Sequence, residues 1–407
     1  MGNYPTPEGY DVAPVYGENI FAPDALKHPF SHYKKIRDLG PVVRLPTDPE
    51  IFALSRFHDI KEALNHRDIL TSSKGVGFND YVNREFPEPP TIQRDDESHK
   101  RLRRAVQHNL TPVALKRYRT MLKEIIDTRI SEAANGETID AVTSVSQLLP
   151  LKAIKHLVGL PENGRERMLE WATATFNSGG PIEAYEDREA FVRDAEILIE
   201  AMMYVRQVKR EDLVAGSWTS DLFDAVAAGK LTMGEAHAAM SGLVIPSLDT
   251  TIFAMSSLLY ALGQNPDQYE MLKRDPGLIS GAVYEAVRHS GPARWFSRYA
   301  LSDYVAGDVF IPAGARVMLM YAAANRDERR YDDPDRFDIT RKAGDQLGWG
   351  GGPHLCGGMN LARLEMELLL ESLIAHVDRI EVEEPELSES RGLYGLTQLP
   401  LRLFRRS

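Results

Sequence analysis

The sequence has almost no cysteine: Cys356 is the single one among 407 residues. An intramolecular disulfide is therefore impossible, and nothing in the chain requires an oxidising compartment. A lone thiolate is also a poor start for a structural zinc site, which needs about four ligands. The chain lacks a secretory signal and lacks an uncharged apolar run near the ~20 residues that span a bilayer. These absences predict a cytoplasmic protein that does not enter a membrane.

The chain has fewer basic residues than acidic ones. The chain has 48 Lys and Arg against 59 Asp and Glu, which gives a formal net charge of −11. Nucleic-acid binding relies on clustered positive charge, so this balance argues against nucleic acid as the main partner. No Pro-, Gly- or Ser-rich linker and no internal repeat divides the chain. We therefore expect one domain over residues 1–407, with a large core supplied by the 43% of residues that are hydrophobic.

Hydrophobic periodicity predicts a mainly α protein with a large helical body and a small β-rich lobe. Long amphipathic helices are expected over residues 25–39, 114–134, 184–208, 233–262 and 358–377. Short strands are expected over residues 42–45, 51–54, 295–301, 309–311, 317–321 and 399–404.

The single cysteine stands in a glycine-rich loop, directly before one of these amphipathic helices. Five glycines, at 350–352 and 357–358, let the backbone wrap closely around a flat ligand, and their amides can hydrogen-bond the sulfur. The positive potential of the helix N-terminus favours the anionic thiolate. One thiolate presented in this way suits the axial position of a haem iron.

Three other interpretations of the loop are weaker. Cys356 could be an ordinary buried thiol, because free cysteine is among the most buried residue types. The glycine run ends in Pro353 where a dinucleotide-binding fingerprint needs its last glycine. A nucleophilic cysteine paired with His354 is disfavoured, because catalytic partners usually come from elsewhere in the fold.

The loop resembles the haem-binding loop of the cytochrome P-450 superfamily. The matching residues are Gly350, Gly352, His354, Cys356, Gly358, Leu361, Ala362 and Arg363. Trp349 stands where the family usually has phenylalanine, and it is another large aromatic residue. The resemblance implies the cytochrome P-450 fold, haem b with Cys356 as the iron ligand, and dioxygen as co-substrate. It also implies a monomer served by a separate ferredoxin and an NAD(P)H-dependent reductase.

An acid followed by an alcohol, Asp249-Thr250, lies midway along a long apolar helix. Burying such a pair is costly unless something uses it. In the family this pair delivers protons to iron-bound dioxygen, so the resemblance implies that Asp249 is a proton relay and Thr250 the oxygen-binding hydroxyl. A non-catalytic haem-binding or sensing protein does not need them, and a monooxygenase is favoured. Pro246 and Ser247 replace the usual small residues, and Pro246 predicts a kink.

A basic run holds candidates for the haem propionates. His99 and Arg103 lie four residues apart on one helical face and can clamp anionic groups. The resemblance adds Arg298 and His354 to this set. The other basic residues form either a solvated face or a docking surface for an acidic electron donor: Lys100, Arg101 and Arg104.

Glu285 and Arg288, three residues apart, share one helical face. On a surface, such a pair contributes less than about 1 kcal/mol. The resemblance implies instead a buried structural network of three charges, completed by Arg336.

Two stretches, residues 72–80 and 176–181, resemble bacterial members that demethylate or hydroxylate small para-substituted aromatic compounds. The resemblance implies a substrate pocket that contains Phe78, Phe176, Ser247, Trp295 and Phe296. The expected substrate is of the methoxybenzoate, guaiacol or alkylphenol type, and a terpenoid or other natural product is the alternative.

The sequence leaves open whether this substrate is an acid or a phenol. In the benzoate-oxidising relatives, an arginine and a serine on the long helix help to hold the carboxylate, and the chain has Ser241 and Gly242 at those positions. Lys74 and Arg294 are the remaining candidates for binding an anion.

Overall fold

The computed structural model describes residues 6–84, 88–161, 165–182 and 188–406. The described residues form sixteen α-helices: α1 Pro23–Lys27, α2 Phe30–Leu39, α3 Phe57–Ala63, α4 Asp80–Arg84, α5 Asp96–Gln107, α6 Pro112–Ala133, α7 Leu148–Ala153, α8 Met168–Ser178, α9 Arg188–Gln207, α10 Trp218–Ala227, α11 Met233–Val244, α12 Asp249–Gln264, α13 Pro266–Arg274, α14 Ile279–Ser290, α15 Tyr321–Ala324 and α16 Met359–His376. They also form twelve strands: β1 Val42–Leu45, β2 Ile51–Leu54, β3 Leu70–Thr71, β4 Asn135–Asp140, β5 Phe296–Ala300, β6 Tyr304–Ala306, β7 Val309–Ile311, β8 Arg316–Leu319, β9 Val377–Val382, β10 Glu386–Leu387, β11 Leu396–Gln398 and β12 Pro400–Arg405.

The strands form one larger sheet and three small ones. The larger sheet has the order β1-β2-β8-β5-β3, in which only β2 and β8 run parallel. The smaller sheets are β4-β12-β9, β10-β11 and β6-β7. The strands predicted at 42–45, 51–54 and 309–311 are confirmed with those bounds. The expected mainly α fold with a small β-rich part is therefore confirmed.

The helical body is built around four helices that pack in succession: α6 against α16, α16 against α14, and α14 against α12. Helix α6 begins at Pro112, and the Thr111 side chain caps it by accepting a hydrogen bond from the amide of Ala114 at 3.2 Å. Helix α16 buries leucines spaced three or four residues apart, such as Leu361, Leu364 and Leu368. The glycine-rich loop that carries Cys356, called the thiolate loop below, therefore leads into a helix whose leucines are buried in the core.

Two predicted helices are interrupted. The single helix expected over residues 25–39 is two helices, α1 and α2, because Pro29 lies between them. The helix expected over 233–262 is divided into α11 and α12 by a 3₁₀ turn, Ile245–Ser247. Pro246 has no amide hydrogen to donate to the α-helical ladder, so the kink that it predicts is confirmed. The beginning of the helix predicted at 184–208 lies partly outside the described residues.

Among the described residues, one span is long and apolar enough to cross a membrane by length and composition, Met233–Gln264. The most apolar part of it is 65% buried inside the protein. A buried helical span at the centre of a folded body meets the same criterion.

Candidate functional site

The loop around Cys356 depends on two glycines in the left-handed region. Gly350 has φ = +70° and Gly352 has φ = +59°, and both values disfavour residues with a side chain. A Cβ atom at Gly352 would also lie 2.7 Å from the carbonyl oxygen of Leu64. The loop then closes through a hydrogen bond of 2.9 Å from the Cys356 amide to the carbonyl of Trp349.

The Cys356 sulfur lies beside groups that can stabilise a thiolate, although burial keeps the pKa of its thiol raised overall. The residue is accessible to solvent, yet the protein atoms that crowd its sulfur raise the pKa of the thiol. Three groups act in the opposite direction and lower this pKa: the backbone amides of Gly358 and Met359, and the guanidinium of Arg103. The loop therefore offers an accessible sulfur with hydrogen-bond donors and a positive charge beside it, which suits an axial thiolate ligand.

Two imidazoles and a guanidinium meet beside this loop. The rings of His99 and His354 lie 4.5 Å apart between centroids. Arg103 donates a hydrogen bond of 2.5 Å to the carbonyl of Leu355. The structure thus brings His99 and Arg103 of α5 together with His354, which is distant from them in the sequence, beside Cys356.

His99 has a buried polar atom without a partner. Its Nε2 atom makes no hydrogen bond to any described residue. Burial, followed by the neighbouring His354, lowers the pKa of His99 to about 4, so the ring is neutral and can donate one hydrogen bond. An unsatisfied buried donor next to an accessible thiol fits a bound haem, whose propionate oxygens would accept from it. The donor set of this cleft therefore fits haem.

Asp95 also belongs to this cluster, and sequence reasoning missed it. His354 Nε2 lies 3.0 Å from Asp95 Oδ1. Burial raises the pKa of Asp95, but hydrogen bonds from His354 and Thr71 outweigh that effect and hold the pKa below its usual range. Asp95 orients His354 as a charged partner. Asp95, Asp96 and Glu97 are consecutive acids at the start of α5, and nothing in the sequence shows that Asp95 is the one that contacts His354.

Arg298 lies on β5, which is distant in sequence from α5, and its side chain is buried. Its guanidinium donates a hydrogen bond of 2.8 Å to the carbonyl of Ser297. It donates a second hydrogen bond to the phenol oxygen of Tyr321. Burial raises the pKa of Tyr321, so the phenol stays protonated. The Arg298 guanidinium still has donors left for a further anionic group. Tyr321 is a second residue that the sequence reasoning missed.

The acid-alcohol pair opens helix α12, immediately after the kink. Thr250 Oγ1 donates a hydrogen bond of 2.7 Å to the carbonyl of Pro246, one helical turn earlier. Ser247 Oγ donates to the carbonyl of Val244 at 2.9 Å. The Thr250 hydroxyl therefore satisfies the backbone at the kink and keeps its lone pairs free to accept.

Asp249 is 5% exposed and has one described hydrogen-bond partner, Thr173 Oγ1 on α8, at 2.6 Å. Burial raises the pKa of Asp249 to about 6, and the hydrogen bond from Thr173 lowers it in part. A carboxyl group with this pKa can take up and release a proton near neutral pH. Thr173 itself is exposed. Nothing in the sequence distinguishes Thr173 from other threonines.

The predicted three-charge network exists, but one of its members is different. Glu285 and Arg288 are fully buried, and their carboxylate and guanidinium bond in a bidentate manner at 2.6 and 2.7 Å. The third charge is Arg341, whose Nε lies 3.3 Å from Glu285. The prediction of Arg336 was wrong: its side chain is 60% exposed and pairs with Asp338.

Arg294 does not bind a substrate anion. Its guanidinium is fully buried and donates to the backbone carbonyls of Ser390, Leu393 and Leu26. These acceptors and the Tyr33 hydroxyl engage all three guanidinium nitrogens in the fully buried core, so the prediction of an anion site at Arg294 was wrong.

Two predicted pocket aromatics pack elsewhere. Trp295 and Phe78 are buried in the core that the N-terminal segment forms with the larger sheet. The Trp295 ring makes an edge contact with Phe21 at 5.4 Å. Both side chains are therefore packing residues of this core. Lys74 is exposed on the surface, and its carbonyl accepts a hydrogen bond from Arg316.

Phe296 and Phe176 are only partly buried. Phe296 lies between the helical core and the sheet core, and its ring centroid is 6.2 Å from that of Tyr321. Phe176 is close to the end of α8, where Gly392 approaches its carbonyl so closely that a Cβ atom there would lie 2.9 Å away. These two rings, unlike Trp295, keep some surface for a ligand.

Comparison with known proteins agrees with this site. Residues 277–403 match the family model described as Cytochrome P450. Cytochrome p450 CYP199A2 of Rhodopseudomonas palustris is 32% identical over 411 residues, which cover 98% of this chain and 96% of that protein. This chain belongs to the cytochrome P450 family.

Other P450 proteins are similar over nearly the whole chain. A steroid C26-monooxygenase of Rhodococcus jostii is 30% identical, over 96% of this chain and 84% of that protein. The solved structure of CYP268A2 from Mycobacterium marinum, in complex with pseudoionone, has a TM-score of 0.83 and 26% identity, and the match covers 99% of this chain and 100% of that one. The chain is therefore a P450 monooxygenase that uses haem b and dioxygen.

Proposed function

We propose that this P450 monooxygenase O-demethylates or hydroxylates a small para-substituted aromatic compound. The observation that carries the proposal is the contact between the two stretches that resemble aromatic-oxidising members. The amide of Phe78 donates to the carbonyl of Gly179 at 2.7 Å. Asn79 Nδ2 donates to the carbonyls of Ser178 and Gly180, each at 2.7 Å. The two stretches thus form one structural unit, and α8, which leads into it, also carries the partner of Asp249.

The residues of the cleft fit the roles that this chemistry requires. Cys356 would hold the haem iron, and the propionates would be held by His99, Arg103, Arg298 and His354. When bound, the haem supplies the activation of dioxygen with two external electrons. Asp249 holds a proton close to Thr250 and exchanges it with solvent through Thr173. Phe176 and Phe296 offer flat apolar surfaces for an aromatic ring.

A methoxy substrate would gain a hydroxyl group on its methyl carbon. The resulting hemiacetal loses formaldehyde and leaves a phenol, so no further oxidant is needed. A para-alkyl substrate would keep the hydroxyl group as an alcohol. Both outcomes use one oxygen atom of dioxygen, two electrons and two protons.

A terpenoid or other natural product is the second candidate substrate. The similarity to a protein named steroid C26-monooxygenase and to a structure that contains pseudoionone favours this alternative. A non-catalytic haem-binding or sensing protein is disfavoured, because it has no use for Asp249 and Thr250.

The electrons come from a separate ferredoxin and an NAD(P)H-dependent reductase in this proposal, and the enzyme acts as a cytoplasmic monomer. Two of the three basic residues on α5 that were candidates for docking an electron donor form ion pairs within the chain. Lys100 pairs with Glu97 at 2.7 Å, and Arg101 pairs with the carboxylate of Glu235. These two residues therefore contribute less to a docking surface than Arg104 does.

An optical titration of the haem-loaded protein tests the substrate class. The panel contains 4-methoxybenzoate, guaiacol, 4-alkylguaiacols, 4-alkylphenols and a terpenoid. A bound substrate that displaces water from the iron shifts the Soret band to shorter wavelength. We expect a saturable shift with one aromatic class. A shift with the terpenoid and with none of the aromatics would exclude the aromatic proposal and leave the monooxygenase assignment intact.

A further inference from the structure

Arg294 carries a positive charge in the interior of the protein. Its side chain is fully buried, and among the described residues it has no carboxylate as a partner. A buried charge without a counter-ion is costly unless hydrogen bonds satisfy it. The guanidinium donates to the Tyr33 hydroxyl and to three backbone carbonyls, those of Leu26, Ser390 and Leu393. One cation therefore joins α1 and α2 to the loop between β10 and β11.

This β10–β11 loop, residues 388–393, packs against the end of α8. A Cβ atom at Gly392 would lie 2.9 Å from the carbonyl oxygen of Phe176, so the two main chains are in close contact. The amide of Arg391 donates to Asn177 Oδ1 at 3.2 Å. On its other side the loop is held by the amide of Arg294, which donates to the carbonyl of Gly392 at 3.0 Å. Gly392 thus contacts Arg294 and Phe176 at once.

Helix α8 also carries the hydrogen-bond partner of the buried acid. Thr173 Oγ1 donates to Asp249 Oδ2 at 2.6 Å. Thr173 and Asn177 are four residues apart, so they lie on the same face of α8. Both line a cavity of about 430 Å³, whose lining also includes two residues that Arg294 holds by their carbonyls, Leu26 and Ser390. The segments that Arg294 joins and the face of α8 that contacts the acid therefore surround one cavity.

We propose that Arg294 is a positioning residue for proton delivery: through the β10–β11 loop it holds the end of α8, and α8 presents the Thr173 hydroxyl to Asp249. The connection passes from the guanidinium to the loop carbonyls, from Gly392 to Phe176, and along one turn of helix to Thr173. The inference rests on the proposed role of Asp249 but not on the substrate class, so it applies to an aromatic and to a terpenoid substrate alike.

Gly392→Ala in the haem-loaded enzyme tests this connection without removing Arg294. The added methyl group meets the main chain of Phe176, so it should displace α8 and lengthen the hydrogen bond from Thr173 to Asp249. That hydrogen bond lowers the pKa of Asp249, and among the described residues no charged group contributes to this pKa. The infrared band of the protonated Asp249 carboxyl, identified by its absence in Asp249→Asn, reports the titration directly. We expect the titration to move to higher pH by roughly one pH unit, a tenfold change in the dissociation constant of the acid.

Three further variants make the test specific. Gly344→Ala is the matched control, because a Cβ atom at this exposed glycine would meet no atom within 4 Å, and it should leave the titration unchanged. Arg294→Gln should move the titration in the same direction as Gly392→Ala. Thr173→Val removes the hydrogen bond itself, so the addition of Gly392→Ala to Thr173→Val should cause no further movement.

The outcomes separate this inference from the proposed function. An unchanged titration in Gly392→Ala, an equal movement in Gly344→Ala, or an additive movement in the double variant with Thr173→Val would overturn the inference, even if Arg294→Gln does not fold. If one of these results is found in an enzyme that oxidises 4-methoxybenzoate, only the positioning role is lost. If the titration moves as expected in an enzyme that oxidises none of the aromatic compounds, the positioning role stands and the proposed substrate class fails.

Discussion

Replacement of Asp249 by asparagine is expected to lower the rate of product formation roughly 100-fold or more, because general acid-base groups contribute about 10²–10⁴ to a rate. The amide keeps the size of the side chain but cannot release a proton. Asp249 is buried and its pKa is raised to about 6, so the wild-type rate should change with an inflection near pH 6. This inflection should be absent in the variant. The measurement is the rate of product formation over a range of pH, with the product formed per NAD(P)H consumed recorded beside it.

Thr173, which donates a hydrogen bond to Asp249, provides a second variant. Thr173→Val removes the hydrogen bond that lowers the pKa of Asp249, so the inflection should move to higher pH, and Thr173→Ser should restore it. Asp267→Asn changes another acid in the first turn of a helix and should leave the rate unchanged. An Asp249→Asn enzyme with the wild-type rate and pH profile would exclude the carboxylate from proton delivery.

Replacement of Arg288 by leucine is expected to lower the free energy of unfolding by about 3–5 kcal/mol, because it leaves the Glu285 carboxylate buried without its main partner. That loss is a large fraction of the ~5–15 kcal/mol typical of a folded protein. Little folded, haem-loaded protein should therefore be recovered. Urea unfolding and the haem content per chain measure the effect.

The same experiment separates Arg341 from Arg336. Arg341→Gln removes a charged partner of Glu285 and should cost about 1–3 kcal/mol. Arg336→Gln changes an exposed side chain and should alter stability by no more than about 0.5 kcal/mol. The double change Glu285→Leu with Arg288→Leu should be less damaging than Arg288→Leu alone, because no charge stays unpaired. Equal costs for Arg336→Gln and Arg341→Gln would contradict the observed network.

The thiolate loop could be identified from the sequence because its chemistry fixes both residue type and spacing. Only one cysteine is present, and glycines are needed at Gly350 and Gly352, where φ is positive. Long helices such as α6 and α16 were predictable for a related reason, since their buried residues repeat every three or four positions. The break within the central helix followed from the missing amide of Pro246.

Side chains that are fixed by long-range contacts could not be predicted in this way. Arg336 and Arg341 lie five residues apart in an irregular segment, and spacing does not show which of them turns towards Glu285. Arg294 was a candidate for binding an anion because it is a cationic residue directly before the predicted pocket residues Trp295 and Phe296. Its donors are instead taken by carbonyls of segments 96 to 268 residues away in the sequence. Thr173 meets Asp249 across 76 residues, and no local pattern marks that contact.

The absorption spectrum of the reduced, haem-loaded protein with carbon monoxide tests the central claim most directly. A thiolate ligand moves the Soret band of this complex to a longer wavelength than a histidine or a thiol ligand does. We predict the long-wavelength band for the wild-type protein and its loss in Cys356→His, while Ser256→Ala, a change of a buried hydroxyl on α12, retains it. A wild-type protein without the long-wavelength band, or a Cys356→His variant that keeps it, would contradict thiolate ligation by Cys356.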